Sequence, residues 1–507
     1  MKAASMPQGT TLPGFGFDRA MDQRIQNQKK EVTFGRDLTY QMKFRAAVFF
    51  LTVMGCQTPE GKAPTMYVTT ADQQRLLDAV PLQAASTGDS VLSLSWDASI
   101  AHQQMEGFGA SLTGASAFVL YQLPKEKRAA VLRQLFDAER GIGLSYLRLT
   151  MGASDFSTRP FTYNDLPAGK TDAAQTHFSL AADEKELVPV VQEILSIDPD
   201  LPIMGSPWSA PAWMKTSGRL EGGRLRSEWY ASYATYFVKY VHEMKARGVT
   251  IDAITIQNEP QYEAAYPTMA MSADEQNTFV RDHLGPQFVK EKIATKIVVY
   301  DHNWDTPEYP IAIFNDPVTR NFVHGAAFHC YGGDVANMAR VQQAHPDKKL
   351  YFTECSGGSW APNFGDNLMW YTEKLLIGTT RYGSSNVLLW NLALNETHGP
   401  TTNPPDSTRN ENLGCMTCRG VITVDSKTNE ITLNEEYYAL AQFSKFVKRG
   451  ARRISCTVDQ PLQAVAFQNP DQSVVVVVQN PTTRTKNISW GDQPIMLLPR
   501  SVNTMVF

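Results

Sequence analysis

Two apolar runs in this chain end in a glutamate. One is IDAITIQNEPQY, residues 251–262, where Asn258, Glu259 and Pro260 close the run without a gap. The other is KLYFTECSGGSW, residues 349–360, in which the run ends at Glu354. Strand interiors exclude proline, so Pro260 marks a strand end and puts Glu259 at its tip. A lone glutamate there is more often a solvated loop residue than a catalyst. Two of them facing one aromatic, water-poor pocket are the set that glycoside hydrolysis needs: one protonated to donate to the leaving oxygen, one ionised to attack the anomeric carbon. Different surroundings split the two pKa values. Arg148, in SYLRLTM, is placed to keep one carboxylate ionised, and Asn258 to bond a sugar hydroxyl. Asp155, His329, Tyr331 and Trp390 also follow apolar runs, as do Trp208 and Trp213 in SPWSAPAWMKTSG. Tryptophan and tyrosine suit the apolar faces of sugar rings, although each is equally an ordinary core residue and His329 equally a structural histidine. His302, His329 and Glu354 match no metal-ligand spacing, so no metal is expected.

These side chains reach one mouth only if particular elements carry them. Eight short apolar runs recur at 106–112, 145–151, 201–207, 251–257, 295–301, 324–331, 349–355 and 386–394. Amphipathic segments lie between them. PKEKRAAVLRQLFD has Leu132, Leu135 and Phe136 at helical spacing, and SEWYASYATYFVKYVHEMKARG stops at Gly248, a helix C-terminal signal. Eight strands alternating with helices predict a (β/α)₈ barrel, whose chemistry sits at the C-terminal strand ends. Glu259 then ends the fourth strand and Glu354 the seventh. The competitor, a doubly wound sheet, needs a Gly-rich phosphate loop that follows none of these runs. From about residue 450 the pattern changes to short strands between turn residues, such as QAVAFQNP and SVVVVVQNP, which reads as an antiparallel β-sandwich. Residues 65–105 are also strand-rich and are expected to pair with this tail. The expected organisation is 1–64 as extension, signal and tether, 65–105 and 436–507 as the two parts of the sandwich, and 106–435 as the barrel.

The 507 residues carry a net charge of −4 and no basic tract, which leaves nucleic acid nothing to hold. No run approaches the roughly 18 apolar residues of a membrane span. MKFRAAVFFLTVMGCQT, from Met42, has the shape of a secretory signal: Lys43 and Arg45, an apolar stretch from Ala46, then Gly55 before Cys56. Val53-Met54-Gly55-Cys56 resembles a bacterial lipoprotein box, which predicts lipidation of Cys56, a start at Met42, and an exported protein anchored to the cell envelope. The bland alternative is a short buried helix. Of the other five cysteines, Cys415 and Cys418 form a lone C-x-x-C that lacks two further zinc ligands and a thioredoxin-like unit, so a small loop-closing disulfide is expected. Cys330 and Cys355 lie in strand-like runs and read as buried thiols.

Eight segments in order resemble one family, glycoside hydrolase family 30, which includes glucosylceramidases and microbial β-1,6-glucanases. They are GFGASLTGASA (107–117), YLRLTMGASDFSTRPFTYND (146–165), GSPWSAPAWMKTSG (205–218), ITIQNEP (254–260), FHCY (328–331), FTECSGG (352–358), WNLALNETHGP (390–400) and YYALAQFSKFVKRGARRI (437–454). The resemblance implies a (β/α)₈ barrel with a flanking β-sandwich. It implies Glu259 as acid/base, Glu354 as nucleophile, and Arg148, Asp155, Trp208, Asn258, His329, Tyr331 and Trp390 around the reacting sugar. It further implies retaining hydrolysis with no cofactor and a polysaccharide or oligosaccharide substrate. The C-x-x-C segment after the eighth strand is more like the β-1,6-glucanase branch than the animal glucosylceramidases. A β-glucosidase, a xylanase of the same family, and a non-catalytic carbohydrate-binding lipoprotein on an inactive fold stay open as alternatives. The last is disfavoured by the presence of both glutamates.

Overall fold

The computed structural model describes residues 65–82, 91–402, 414–490 and 493–507. The expected signal, tether and Cys56 lie outside these residues. Eight parallel strands close a barrel: Gly107–Leu112, Tyr146–Met151, Ile203–Pro207, Ala253–Thr255, Lys296–Asn303, Val323–His329, Lys349–Glu354 and Ser384–Leu389. Each coincides with one of the eight apolar runs. The eighth strand pairs with the first, Asn386 to Leu389 against Gly107 to Ala110, which removes both sheet edges.

Helices cover the outside. Lys125–Phe136 starts after Pro124 and buries Leu132, Leu135 and Phe136, the stripe that its sequence spacing predicts. Tyr230–Ala246 buries ten side chains and stops just before Gly248, whose φ of +77° is a left-handed conformation that glycine adopts without a Cβ clash. Inside the barrel, Tyr146, Met204, Ala253, Val298, Ala327, Tyr351 and Leu388 form one packed layer, a residue from each of seven strands. This apolar plug is the floor on which the polar site stands.

The flanking sheet is built from both ends of the described chain. Thr65–Thr70 pairs with Ser501–Val506, and the 14-residue strand Val91–Gln104 pairs with Arg452–Val458. The valine run of Val474–Asn480 lacks alternation because both of its faces are buried. Val476 and Val478 point into the sandwich core with Ile488, Ile495 and Leu497, while Val475 and Val477 point into the barrel-side core with Phe467 and Val502. Each such side chain contributes about 1.5–3 kcal/mol on burial. Glu435–Ser444, at the start of the segment expected to open the sandwich, is a helix that packs between the first barrel strand and this sheet.

Candidate active site

Side chains two apart on a strand share a face. One step up from the apolar plug, the same seven strands therefore place Arg148 above Tyr146, Ser206 above Met204, Thr255 above Ala253, His329 above Ala327, Thr353 above Tyr351 and Trp390 above Leu388. The fifth strand breaks the rule. Its pairing shifts register between Tyr300 and His302, and Tyr300 and Asp301 have φ of +72° and +66°. That irregularity turns Asp301 into the barrel. Glu259 also sits at positive φ, +46°. Backbone in this region costs of order 1–3 kcal/mol per non-glycine residue and persists only where its surroundings enforce it. A second register shift, between Phe352 and Glu354, accompanies the inward turn of Glu354.

Asp301 is the hub of this layer. Oδ2 accepts from Arg148 Nη2 at 2.8 Å and from Thr255 Oγ1 at 2.7 Å, and Oδ1 accepts from Thr353 Oγ1 at 2.6 Å. His329 Nε2 lies 3.0 Å from the same Oδ1. Arg148 Nη2 also donates to Asn258 Oδ1 at 2.7 Å, Nη1 to Glu354 Oε2 at 2.5 Å and Nε to Ser206 Oγ at 3.1 Å. Its guanidinium lies over the rings of Trp208 and Trp390, which stack on each other with centroids 5.0 Å apart. His329 Nδ1 faces Glu259 Oε1 at 3.1 Å, and Tyr331 Oη donates to Glu354 Oε1 at 3.1 Å.

Burial would raise Asp301, but Arg148, His329 and Thr353 hold its carboxyl far below the usual carboxylate range. Burial would lower His329, but the charges of Glu354, Asp301 and Glu259 push it up to about 9, so the ring is an imidazolium at neutral pH. Each ring nitrogen faces a carboxylate, and Glu259, His329 and Glu354 bring ligating atoms within 4.8 Å of one another. Burial, with the charges of Glu354 and Glu259, raises Asp155 to about 8. Burial raises Glu354 above the ordinary value against the pull of His329 and Arg148, whereas the bond from His329 outweighs burial and lowers Glu259.

Arg148, Asp155, Trp208, Asn258, Glu259, His329, Tyr331, Glu354 and Trp390 meet here. Arg148 sits within its strand and reaches up to the mouth, not at the strand end. Asp155 is capped by the C-x-x-C segment: the Cys415 N–H bonds its carboxyl, and a Cβ on Gly414 would come within 2.8 Å of its own Cβ. Cys415 and Cys418 form the expected disulfide, and Cys418 packs with Phe156, Trp208, Tyr266 and Trp390. Trp213 is not part of the site; it packs edge-on against Trp229 and donates to the Asn164 carbonyl. The reading of Cys330 and Cys355 as buried thiols is wrong: they form a disulfide. They follow His329 and Glu354, which are register partners on adjacent strands, so the pair is brought together by the barrel itself. Asp301 was missed. Its only sequence signal is an acid ending an apolar run, the same signal that marks Glu259.

Residues 105–447 match the glycosyl hydrolase family 30 TIM-barrel domain, and residues 450–505 match the family 30 beta sandwich domain. The chain belongs to glycosyl hydrolase family 30. It is a glycoside hydrolase, which sets aside the non-catalytic lipoprotein reading. This family 30 enzyme is 33% identical over 438 residues to an endo-1,6-beta-D-glucanase of Neurospora crassa, covering 82% of this chain and 88% of that one. It is 28% identical over 464 residues to the lysosomal acid glucosylceramidase of Mus musculus, covering 85% of each. Among solved structures, an endo-beta1,6-glucanase superposes with a TM-score of 0.80 at 30% identity, covering 88% of this chain and 99% of that one.

Proposed function

We propose that this enzyme hydrolyses a β-linked glucan, with β-1,6-glucan as its substrate, by retaining double displacement. The observation that carries the mechanism is the closeness of the two glutamates: donor oxygens of Glu259 and Glu354 lie within 4.8 Å of each other. Retaining enzymes hold their carboxyls about 5–5.5 Å apart, whereas inverting enzymes leave about 6.5–9.5 Å for a water. Glu354 attacks the anomeric carbon while Glu259 protonates the leaving oxygen. Water then cleaves the glycosyl-enzyme with Glu259 as base.

Attack needs an ionised Glu354 and a protonated Glu259. In the free site, burial favours a proton on Glu354 and His329 favours an ionised Glu259. Attack needs the reverse. Arg148 and Tyr331 both donate to Glu354 and stabilise its ionised form, while a bound leaving oxygen gives a Glu259 proton somewhere to go. Sugar binding thus favours the ionised Glu354 and the protonated Glu259 that attack needs. Asp155 and Asn258 form the polar base around the reacting sugar, and Trp208, Trp390 and Tyr331 its aromatic walls.

The linkage rests on relatives: endo-1,6-beta-D-glucanases at 32–33% identity support it over glucosylceramidases at 25–28%. A β-1,6 bond adds a rotatable CH₂, so the chain turns away from a deep pocket, whereas a stiff β-1,4 chain needs a long open cleft. The test is a panel of β-1,6-glucan, laminarin, cellulose, glucuronoxylan and aryl β-glucosides, with NMR of the first anomer released. Preference for β-1,6-glucan with the β-anomer first is expected. A preference for xylan or cellulose, or an α-anomer first, overturns it.

A further inference from the structure

The seventh barrel strand runs directly from Glu354 into a short ribbon. Gly357–Gly358 pairs antiparallel with Cys418–Arg419, placing Gly357 opposite Arg419 and Gly358 opposite Cys418. Opposed residues of an antiparallel pair put their side chains on one face. The Gly357 and Arg419 face is fully packed. Arg419 binds Glu435 at 2.6 Å and Glu436 at 2.9 Å, and a Cβ on Gly357 would lie 1.9 Å from Tyr371 Oη. The other face holds Cys418, which packs with Trp208 and Trp390 at the site. On that same face Trp360 is laid across Gly358, where a Cβ would come within 2.0 Å of its indole Cζ3.

Trp360 thus shares a surface with the active-site tryptophans but is 57% exposed, against 2% for Trp208 and 4% for Trp390. Its loop is pinned by Ser359 N–H to the Thr417 carbonyl at 2.9 Å and Ala361 N–H to the Gly358 carbonyl at 3.1 Å. At the site itself Tyr331 is 47% exposed, and its hydroxyl bridges Ser356 Oγ at 3.0 Å and Glu354. A large apolar ring held open to water beside a sugar-processing pocket is poised for a ligand with an apolar face.

We infer that Trp360 is a stacking platform for a glucosyl unit of the substrate chain that lies outside the pocket holding the reacting sugar. This rests on the glucan reading above. Gly357 and Gly358 are part of the device, because no other residue lets Tyr371 approach one face of the ribbon and Trp360 the other.

The experiment compares a polymer with a substrate too small to leave the pocket. Trp360→Ala and Trp360→Tyr are assayed on β-1,6-glucan and on β-D-glucosyl fluoride. Trp360→Ala is expected to lose about tenfold in kcat/KM on the polymer, through KM, which is the effect of about 1.4 kcal/mol of lost binding. Trp360→Tyr is expected to keep most of it, and glucosyl fluoride turnover to change less than about twofold in either variant. Equal losses on both substrates, or no loss on the polymer, overturn the platform. If the wild-type enzyme ignores β-1,6-glucan and cleaves another polymer of the panel, the linkage reading fails by itself. The same comparison on that polymer then decides Trp360.

Discussion

Arg148 Nη2 lies 2.8 Å from Asp301 Oδ2, and neither side chain reaches solvent. Taking two charges out of water costs about as much as their attraction returns, so such a pair is a poor source of stability. What it supplies here is placement. Arg148 holds Glu354 and Asn258, and Asp301 holds His329, which holds Glu259. Both glutamates are therefore tied to one fully buried carboxylate. Asp301→Asn leaves Arg148 and His329 without that charge. Activity is expected to fall about 10²–10³-fold, and stability by about 3–5 kcal/mol, the usual result of removing one partner of a buried pair. Denaturant melts with steady-state kinetics check both, and a variant within a fewfold of wild-type activity contradicts the positioning role.

The two glutamates should fail in different ways. On the proposed mechanism Glu354→Gln replaces the attacking carboxylate with an amide, so no glycosyl-enzyme forms and activity drops by at least about 10³-fold. Glu259→Gln removes the acid, worth about 10²–10⁴-fold, yet aryl glycosides with good leaving groups still glycosylate Glu354. External azide then restores turnover of Glu259→Gln and gives a β-glycosyl azide. A 2-fluoroglycoside should label Glu354, as read by peptide mass spectrometry; a label elsewhere reverses the assignment.

That Glu259 and Glu354 meet at one mouth was legible because each ends an apolar run, and a barrel sends every strand end to one mouth. The barrel order was legible for the same reason. Asp301 ends a similar run, but whether it faces the interior depends on the irregular backbone at Tyr300 and Asp301, which no side-chain period encodes. The Cys330–Cys355 bond was hidden by a separation of 25 residues. It becomes visible once the sixth and seventh strands are set side by side with His329 and Glu354 in register. Trp213 shows the reverse error: a tryptophan just past a strand end that turns back into the core.

That disulfide should matter to catalysis. It links the residue after His329 to the residue after Glu354, beside the Tyr331 hydroxyl that spans the same two strands. Cys330→Ser with Cys355→Ser is expected to lower kcat about tenfold with KM little changed, and to cost about 3 kcal/mol of stability for a loop of this size. An unchanged kcat with only a lower Tm would make the bond purely structural.

Cys56 lies outside the described residues, and its lipidation stays a proposal drawn from the sequence around it. The full-length protein made in a bacterial host is expected to partition into detergent, and Cys56→Ala to move to the soluble fraction. Mass spectrometry that finds residues 1–55 still attached to the mature chain refutes the anchor.

The pocket also sets a dependence of stability on pH. Asp155 keeps its proton up to about 8 in the folded protein, against an unfolded value of about 3.9. Between those values folding takes up a proton, so this group makes stability fall as pH rises from about 4 to 8 and then level off. His329, raised to about 9 from an unfolded value near 6.5, acts in the same direction: its contribution is whole below about 6.5 and lost as pH rises through 9. Asp301, held low, acts oppositely and is felt only in acid, where its contribution is lost as pH falls below about 4. Other buried groups overlap these windows. Glu436 and Asp183, each raised to about 7 chiefly by burial, add to the decline, and Lys215, lowered to about 7 by burial, opposes it above that pH. A single melting curve cannot separate them, but a difference can. Asp155→Asn removes one titration and leaves the rest, so the stability of the variant relative to wild type should rise steadily between pH 4 and 8 and stay flat from 8 to 10. Calorimetric Tm values at each pH read this directly. A difference that does not change between pH 4 and 8 shows that Asp155 ionises at its ordinary pKa, and that the pocket does not hold it protonated.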